Sequence, residues 1–225
     1  MESKRNTSPW STPEMVSRLS QTPPNSELMQ FASIEMPPRT GSRLLDIGCG
    51  AGCNALPLAR MGWEVLGLDL SEPMLEAAAQ RATNEALTDR LLFKRASMEK
   101  LPVEDQSFDF IVAHGIWNLA CSSLELRKAL LEAARAARPG AALFVFTFSR
   151  STLPPETLPV SGESFVFTEF MGTPQCFLTE AQLIEELKTA GFVQEPGIPI
   201  KEYKRPPDSN RPAILEGIFR RKKDN

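Results

Sequence analysis

The chain of 225 residues has a single histidine, His114, and only four cysteines, Cys49, Cys53, Cys121 and Cys176. Zinc patterns need paired ligands, and Cys49 and Cys53 have no second pair to join them. No metal is expected, and the thiols are expected to be reduced. An excess of charge of one sign is also lacking. A formal net charge of -3 and a pI near 5.4 leave no broad phosphate-binding face, so nucleic acid is not an expected partner. The small basic clusters at 201–205 and 220–223 are bounded by acids or prolines and read as solvated ends. No apolar run approaches the length of a membrane span, and the polar start at 1–7 lacks the apolar core of a signal peptide. The expectation is a cytoplasmic protein with no membrane partner. There is no Walker-type G-K-[ST], no N-P-P-Y-like motif, no nucleophilic triad, no internal repeat and no signature of oligomeric state.

What remains is an ordinary globular composition, 42% hydrophobic and 24% charged, suited to one domain with a substantial core. Prolines crowd at 9–38, 154–174 and 196–212, and the stretch between the first two clusters alternates apolar runs with helical patterns. Strands are expected at 44–47, 63–68, 91–94, 108–113 and 142–148. Helices are expected at 53–61, from a Ser71 cap to about Ala86, and at 124–137 before Pro139-Gly140. Thr179 is expected to cap a helix running to Ala190, with Gly191 just past its end, and 192–200 and 213–220 read as two final strands joined as a hairpin. Short helices around 15–19 and 27–31 precede the core. Such alternation describes a doubly wound α/β domain: a mostly parallel seven-stranded sheet flanked by helices, with a final antiparallel strand. Residues 1–40 are expected to form a helical cap, residues 41–225 the main domain, and residues 149–178 a lid-like insertion.

The most informative segment is LLDIGCGAG at 44–52. A buried strand runs into Gly48, Gly50 and Gly52, and a helix follows. Glycines allow a sharp turn and close approach of a ligand to the backbone, and the helix start offers unpaired N–H groups. Asp69, at the end of the next strand, can accept hydrogen bonds from both hydroxyls of a ribose. Together they indicate a nucleoside cofactor bound at the carboxyl ends of the strands. The loop reads G-x-G-x-G, whereas dinucleotide sites read G-x-G-x-x-G/A, so a pyrophosphate is disfavoured.

With WEVLGLDLSEPMLEAA at 63–78, ASMEKLPVEDQSFDFIVAHGIW at 96–117, ARPGAALFVFTF at 137–148 and FLTEAQLIEELKTAGF at 177–192, this loop resembles the S-adenosylmethionine-dependent methyltransferases of the Rossmann-like class, especially the small-molecule branch. The resemblance covers residues 42–150 and, less closely, 177–195. It implies that Asp46, Gly48, Gly50 and Gly52 line the methionine and ribose portions of S-adenosylmethionine, that Asp69 holds the ribose, and that Leu70 and Met74 flank the adenine. Ser97 and Met98 stand where the family often has an acidic residue followed by alanine. The Met98 N–H is then placed to meet an adenine ring nitrogen. His114 begins the turn whose backbone faces the cofactor amino group.

Methyl transfer from a sulfonium is a direct displacement, so alignment and exclusion of water matter more than a dedicated base. If a base exists, His114 is the first candidate. Acceptor choice falls to the covers: Trp10 in the amino-terminal segment, Trp117 and Asn118 after the fourth strand, and Phe165, Phe167 and Phe170 as an apolar wall in the insertion. Arg150 and Glu169 are candidates for orienting a charged acceptor. The expected partner is a small-molecule methyl acceptor. A protein or RNA methyltransferase, or a non-catalytic S-adenosylmethionine-binding protein, is the alternative.

Overall fold

The computed structural model describes residues 9–35, 41–168, 170, 172–204 and 210–223. Residues 1–8 and 36–40 of the expected cap, Glu169 of the insertion and Arg205 of the first basic cluster therefore lie outside the described residues. The chain divides into two compact units, Met1–Ser97 and Met98–Asn225.

The first unit begins with helices α1 (Pro13–Ser20) and α2 (Ser26–Glu35), followed by β1 (Arg43–Ile47), α3 (Ala55–Arg60), β2 (Glu64–Asp69), α4 (Glu72–Asn84) and β3 (Leu91–Arg95). β1 and β2 are parallel, with Leu44 opposite Val65 and Ile47 opposite Leu68, and β3 continues on the far side of β2. Parallel neighbours require crossovers, which α3 and α4 supply. Leu44, Leu45, Val65 and Leu68 are buried, as expected of strands covered on both faces. α4 takes Pro73 in its first turn and turns Met74, Leu75, Ala78 and Ala82 inward at helical spacing. Ser71 precedes α4 as expected, but its hydroxyl does not cap the helix. That hydroxyl lies 2.9 Å from Ser11 Oγ and donates to Trp10 O at 3.4 Å, tying the amino-terminal segment to the start of α4.

The second unit holds β4 (Phe108–His114), α5 (Ser123–Ala136), β5 (Ala137–Phe148), the short pair β6 (Val166–Phe167) and β7 (Gln175–Cys176), α6 (Glu180–Thr189), β8 (Phe192–Gln194), β9 (Lys201–Tyr203) and β10 (Ile214–Arg221). β4 and β5 are parallel, and β10 runs antiparallel beside β5 with β8 and β9 on its other edge. The architecture is the expected mostly parallel mixed sheet with flanking helices and a final antiparallel strand.

Two boundaries differ from expectation. β5 starts at Ala137, not at 142, because the strand bulges around Pro139-Gly140 between the pairs Phe108–Ala137 and Phe110–Ala142. A bulge tolerates a residue with no N–H, and Gly140 supplies the positive φ. Of the expected strand at 192–200 only β8 forms; the chain leaves the sheet around Pro196-Gly197 and pairs with β10 again as β9, beyond the expected end. Among the described residues the sheet has seven strands along its path and an eighth, β9, beside β10. Helix α6 is closed by the foreseen cap: Thr179 Oγ1 accepts from Gln182 N–H, and Gln182 Oε1 accepts from Thr179 N–H.

Within β2, Gly67 leaves the space that lets the neighbouring elements meet. A Cβ there would fall 2.6 Å from Phe93 Cδ1 and 2.9 Å from Cys49 Sγ. Gly67→Ala is expected to destabilise the protein by about 1–3 kcal/mol through overpacking, read as a lowered urea midpoint with an unchanged slope.

Candidate functional site

The glycine loop leaves β1 and is fastened to β2 by its own backbone. Gly48 N–H and Cys49 N–H both donate to Leu68 O, at 2.7 and 3.0 Å. Gly48, Gly50 and Gly52 have φ of +74°, +51° and +78°, where any side chain would be strained. A Cβ on Gly52 would strike the Leu56 side chain and come within 3.3 Å of Ala78, so this glycine sets how closely the loop packs on α3 and α4. Around Gly50, among the described residues, the only atom within 4 Å of such a Cβ is Leu19 Cδ1 of α1, at 3.8 Å. The backbone of the loop is thus open on one side and roofed by the amino-terminal helix.

Asp69 closes the arrangement. Its Oδ2 accepts Gly50 N–H at 2.9 Å and its Oδ1 accepts Ser71 N–H at 2.8 Å. Each oxygen keeps a further lone pair for a ligand hydroxyl. Asp46 sits at the end of β1, 1% exposed, and its Oδ2 is buried with no hydrogen-bond partner. Burial, with the charge of Asp69 adding to it, raises the Asp46 carboxyl to about 7. Burial likewise lifts the Cys49 thiol well above its ordinary value and Cys53 to about 11, so both are inert thiols packed under the loop.

The rest of the expected cofactor set is divided between the two units. Leu70 is 59% exposed, and its carbonyl accepts Arg95 Nε at 3.1 Å. Met74 lies on the buried face of α4. Ser97, half-buried, is the last residue of the first unit, and Met98, buried, is the first of the second. His114 ends β4, with its ring stacked on Phe146 at 4.2 Å. Burial lowers it to about 4.

Among the expected acceptor residues, Trp10 is half-buried in a short turn ahead of α1, and its carbonyl is held by Ser71. Trp117 and Asn118 form a single 3-10 turn after β4, each 1% exposed, with Trp117 Nε1 and Asn118 Oδ1 buried and unpartnered. Phe165 and Phe167 are buried inside the insertion. Phe167 joins Leu153 and Phe177 in a closed cluster, on which half-buried Phe148 and Phe170 pack. Arg150 is already committed: its guanidinium donates to the carbonyls of Leu153, Pro154, Pro155 and Thr157 and lies 4.9 Å over the Phe167 ring. It pins the insertion and leaves little to offer a charged acceptor.

Several supports of the loop carry no sequence signal. Arg81 donates to Ala51 O at 2.6 Å from a position thirty residues on, and Asn54 Oδ1 accepts Asn25 N–H at 3.0 Å, anchoring the start of α2 beside the loop. Neither side chain belongs to a motif, and such long-range polar contacts have no periodicity to reveal them.

Comparison with known proteins agrees with this geometry. A family model described as a methyltransferase domain matches residues 45–145. The chain is 29% identical over 172 residues to a demethylmenaquinone methyltransferase of Lactiplantibacillus plantarum, covering 68% of this chain and 71% of that one. It is 31% identical over 175 residues to a ubiquinone/menaquinone biosynthesis C-methyltransferase of Dinoroseobacter shibae, covering 70% of this chain and 68% of that one. Among solved structures, a SAM-dependent methyltransferase from Methanosarcina mazei superposes with a TM-score of 0.71 at 22% identity, covering 90% of this chain and all of the other, which speaks to the fold.

The raised Asp46 carboxyl makes a stability prediction for the ligand-free protein. Its folded value near 7 exceeds its unfolded value near 3.8, so folding takes up a proton between these limits. The Asp46 contribution to stability is present below about pH 4 and is lost as pH rises through 7. His114, depressed from 6.5 to about 4, acts in the opposite sense over part of this window and is common to wild type and variant. Asp46→Asn is therefore expected to gain stability relative to wild type as pH is raised from 5 to 8, and the difference in urea midpoints across that range measures it.

Proposed function

We propose, from the premise that the chain belongs to the S-adenosylmethionine-dependent methyltransferases of the Rossmann-like class, that it moves the methyl group of S-adenosylmethionine onto a small apolar, ring-bearing acceptor held at the carboxyl ends of its strands. The observation that carries this reading is electrostatic. The loop combines open backbone at Gly50 with two carboxylates, one of them, Asp46, buried and holding an unpartnered oxygen. Such a site repels the pyrophosphate of a dinucleotide and suits an adenosine-bearing cation.

The residues fit that cofactor. Asp69, already aimed by the Gly50 and Ser71 N–H groups, takes the ribose hydroxyls, and Asp46 faces the positive methionine portion together with the loop backbone. Leu70, Met74, Ser97 and Met98 are assigned to the adenine. When bound, the cofactor supplies an electrophilic methyl group on a positively charged sulfur. The protein's remaining tasks are to orient the acceptor and to exclude water.

His114 is the residue assigned to the acceptor's nucleophilic end. Held near 4, it stays neutral at physiological pH and offers one acceptor nitrogen. So weak a base orients a hydroxyl or N–H by accepting its hydrogen bond and gains little by removing the proton. The unpartnered Trp117 Nε1 and Asn118 Oδ1 supply further polar contacts, and the half-buried faces of Phe148 and Phe170 supply apolar ones. Trp10, tied to the start of α4 through Ser71, is assigned to the cover of the cofactor loop, and the described part of the insertion to the cover of the acceptor. The ring-bearing acceptor is supported by the quinone-pathway names of the relatives. No helix among the described residues is long and apolar enough to cross a membrane, and a cytoplasmic location, with no nucleic-acid partner, accords with the net charge of -3.

Two measurements test this reading. Incubation with S-adenosylmethionine labelled in its methyl group is expected to place the label in the small-molecule fraction of an extract. Label confined to protein or RNA would refute the assigned acceptor class. In calorimetry, Asp69→Ala is expected to weaken S-adenosylmethionine binding by about 1.5–3 kcal/mol, as for the loss of charge-assisted hydrogen bonds. Tight binding of NAD, with none of S-adenosylmethionine, would overturn the cofactor assignment.

A further inference from the structure

Ser71 joins two parts of the first unit that lie sixty residues apart in the chain. It precedes α4 at the position of a cap, yet its hydroxyl makes no capping bond. The residue is nevertheless buried. Its N–H donates to Asp69 Oδ1 at 2.8 Å, and its hydroxyl donates to Trp10 O at 3.4 Å. A hydroxyl has one proton to give, so in the 2.9 Å contact with Ser11 Oγ the donor is Ser11. The main chain of Ser71 thus aims the carboxylate assigned to the ribose, while its side chain holds the amino-terminal segment.

That segment lies lightly on the unit. None of residues 9–24 is buried, whereas α2, which follows, buries Leu28, Phe31 and Ala32. On α1, Met15, Val16 and Leu19 share one face, and each is only half-buried. Residues 21–24 between the two helices are exposed, and Pro23 and Pro24 have no N–H with which to fasten the connection. α2 is the fixed end, where Asn25 N–H meets Asn54 Oδ1 at 3.0 Å. An element with so few buried groups opens at a lower free energy than the sheet beneath it. Its movement matters to the site, because Leu19 lies over the open backbone of Gly50.

We propose that Ser71 is a positioning residue that couples the amino-terminal segment to the cofactor. The inference rests on the assignment of the ribose to Asp69. A ribose there favours the arrangement in which Ser71 N–H points to Asp69 Oδ1. The seated segment favours the same arrangement through Ser71 Oγ. Two partners that select one state strengthen each other, and the coupling is reciprocal. Cofactor binding then seats residues 9–20 over the glycine loop, and the seated segment slows the departure of the cofactor.

Ser71→Ala isolates the hydroxyl: it keeps the N–H that aims Asp69 and has no capping bond to lose. The full chain is studied by calorimetry with S-adenosylmethionine and by amide hydrogen exchange with and without saturating S-adenosylmethionine. In wild type the cofactor is expected to slow exchange both at 48–52 and at 14–22. In Ser71→Ala the affinity is expected to fall about three- to tenfold, as for the loss of one or two hydrogen bonds. The added protection at 14–22 is expected to be largely lost, while that at 48–52 remains. Ser71→Thr, which restores a hydroxyl, is expected to recover both. Ser11→Ala is expected to act in the same direction, and its combination with Ser71→Ala to be no worse than Ser71→Ala alone. Three results would each overturn the coupling and leave the cofactor assignment standing: protection in wild type at 48–52 without any at 14–22, wild-type affinity in Ser71→Ala, or additive losses in the double variant. Absence of protection at 48–52 in wild type would remove the cofactor assignment, and the coupling with it.

Discussion

One carbonyl holds the site together. Leu68 O receives the N–H groups of both Gly48 and Cys49, so the bend after β1 is tied to the last turn of pleat in β2. This is possible because β1 and β2 are in parallel register, with Ile47 opposite Leu68. The same register brings the next residue, Asp69, to the place where its carboxylate meets Gly50 N–H. A slip of one residue would turn Asp69 to the other face and leave Gly50 without its partner. The packing at Gly67, where Phe93 and Cys49 converge, resists such a slip as well. The geometry of the loop therefore rests on the fit between two parallel strands.

That fit carries an electrostatic cost. Asp46 is buried beside Asp69 without a cation among its hydrogen-bond partners, and its carboxyl rises to about 7. A buried acid kept partly neutral is a poor stabiliser of a ligand-free fold. On the cofactor assignment proposed above, its partner arrives with the ligand, since a cation restores the ionised form and offsets the desolvation. Functional sites tend to keep such locally unfavourable features, and here the feature coincides with the glycine bend, where the backbone is also most constrained. The amino-terminal helices add to this arrangement. Leu19 over Gly50, Ser11 on Ser71 and Asn25 on Asn54 place three contacts of the first 25 residues around one loop.

The alternation of strands and helices, the glycine bend with Asp69, and the Thr179 cap were all legible in the sequence, because each depends on local chemistry: apolar periodicity, positive φ and a short-range hydrogen bond. What was not legible has a common cause. Side chains that read as solvent-facing or functional found backbone partners brought near only by the fold. Arg150 reads as a cation free for a ligand and is consumed by four carbonyls of the insertion. Ser71 reads as a cap and bonds instead to the amino-terminal segment. Pro139-Gly140 reads as a stop before a strand, yet a bulge carries the strand through it, since the missing N–H falls where the ladder is already interrupted. Pro196-Gly197 has the opposite effect: the strand stops at Gln194, since Pro196 has no N–H to give the ladder and Gly197 takes a positive φ, and pairing with β10 resumes only at Lys201.

The aromatic residues of the insertion, read from the sequence as a pocket wall, turn mostly inward. Phe165 precedes and Phe167 ends the short strand β6, both are buried, and Phe167 meets Phe177 edge-on at 6.1 Å. A cluster so filled is a rigid support, because aromatic pairs in edge-to-face contact resist displacement. The surface it supports belongs to Phe148 and Phe170, 5.6 Å apart and half-buried. On the same unit, the turn after β4 buries Trp117 Nε1 and Asn118 Oδ1 with no partner. Each such atom costs about 1–3 kcal/mol when left unsatisfied. On the acceptor assignment made above, the molecule that fits is one whose apolar ring meets the phenylalanine faces while a hydrogen-bonding group relieves the turn. An entirely apolar acceptor would leave that cost in place.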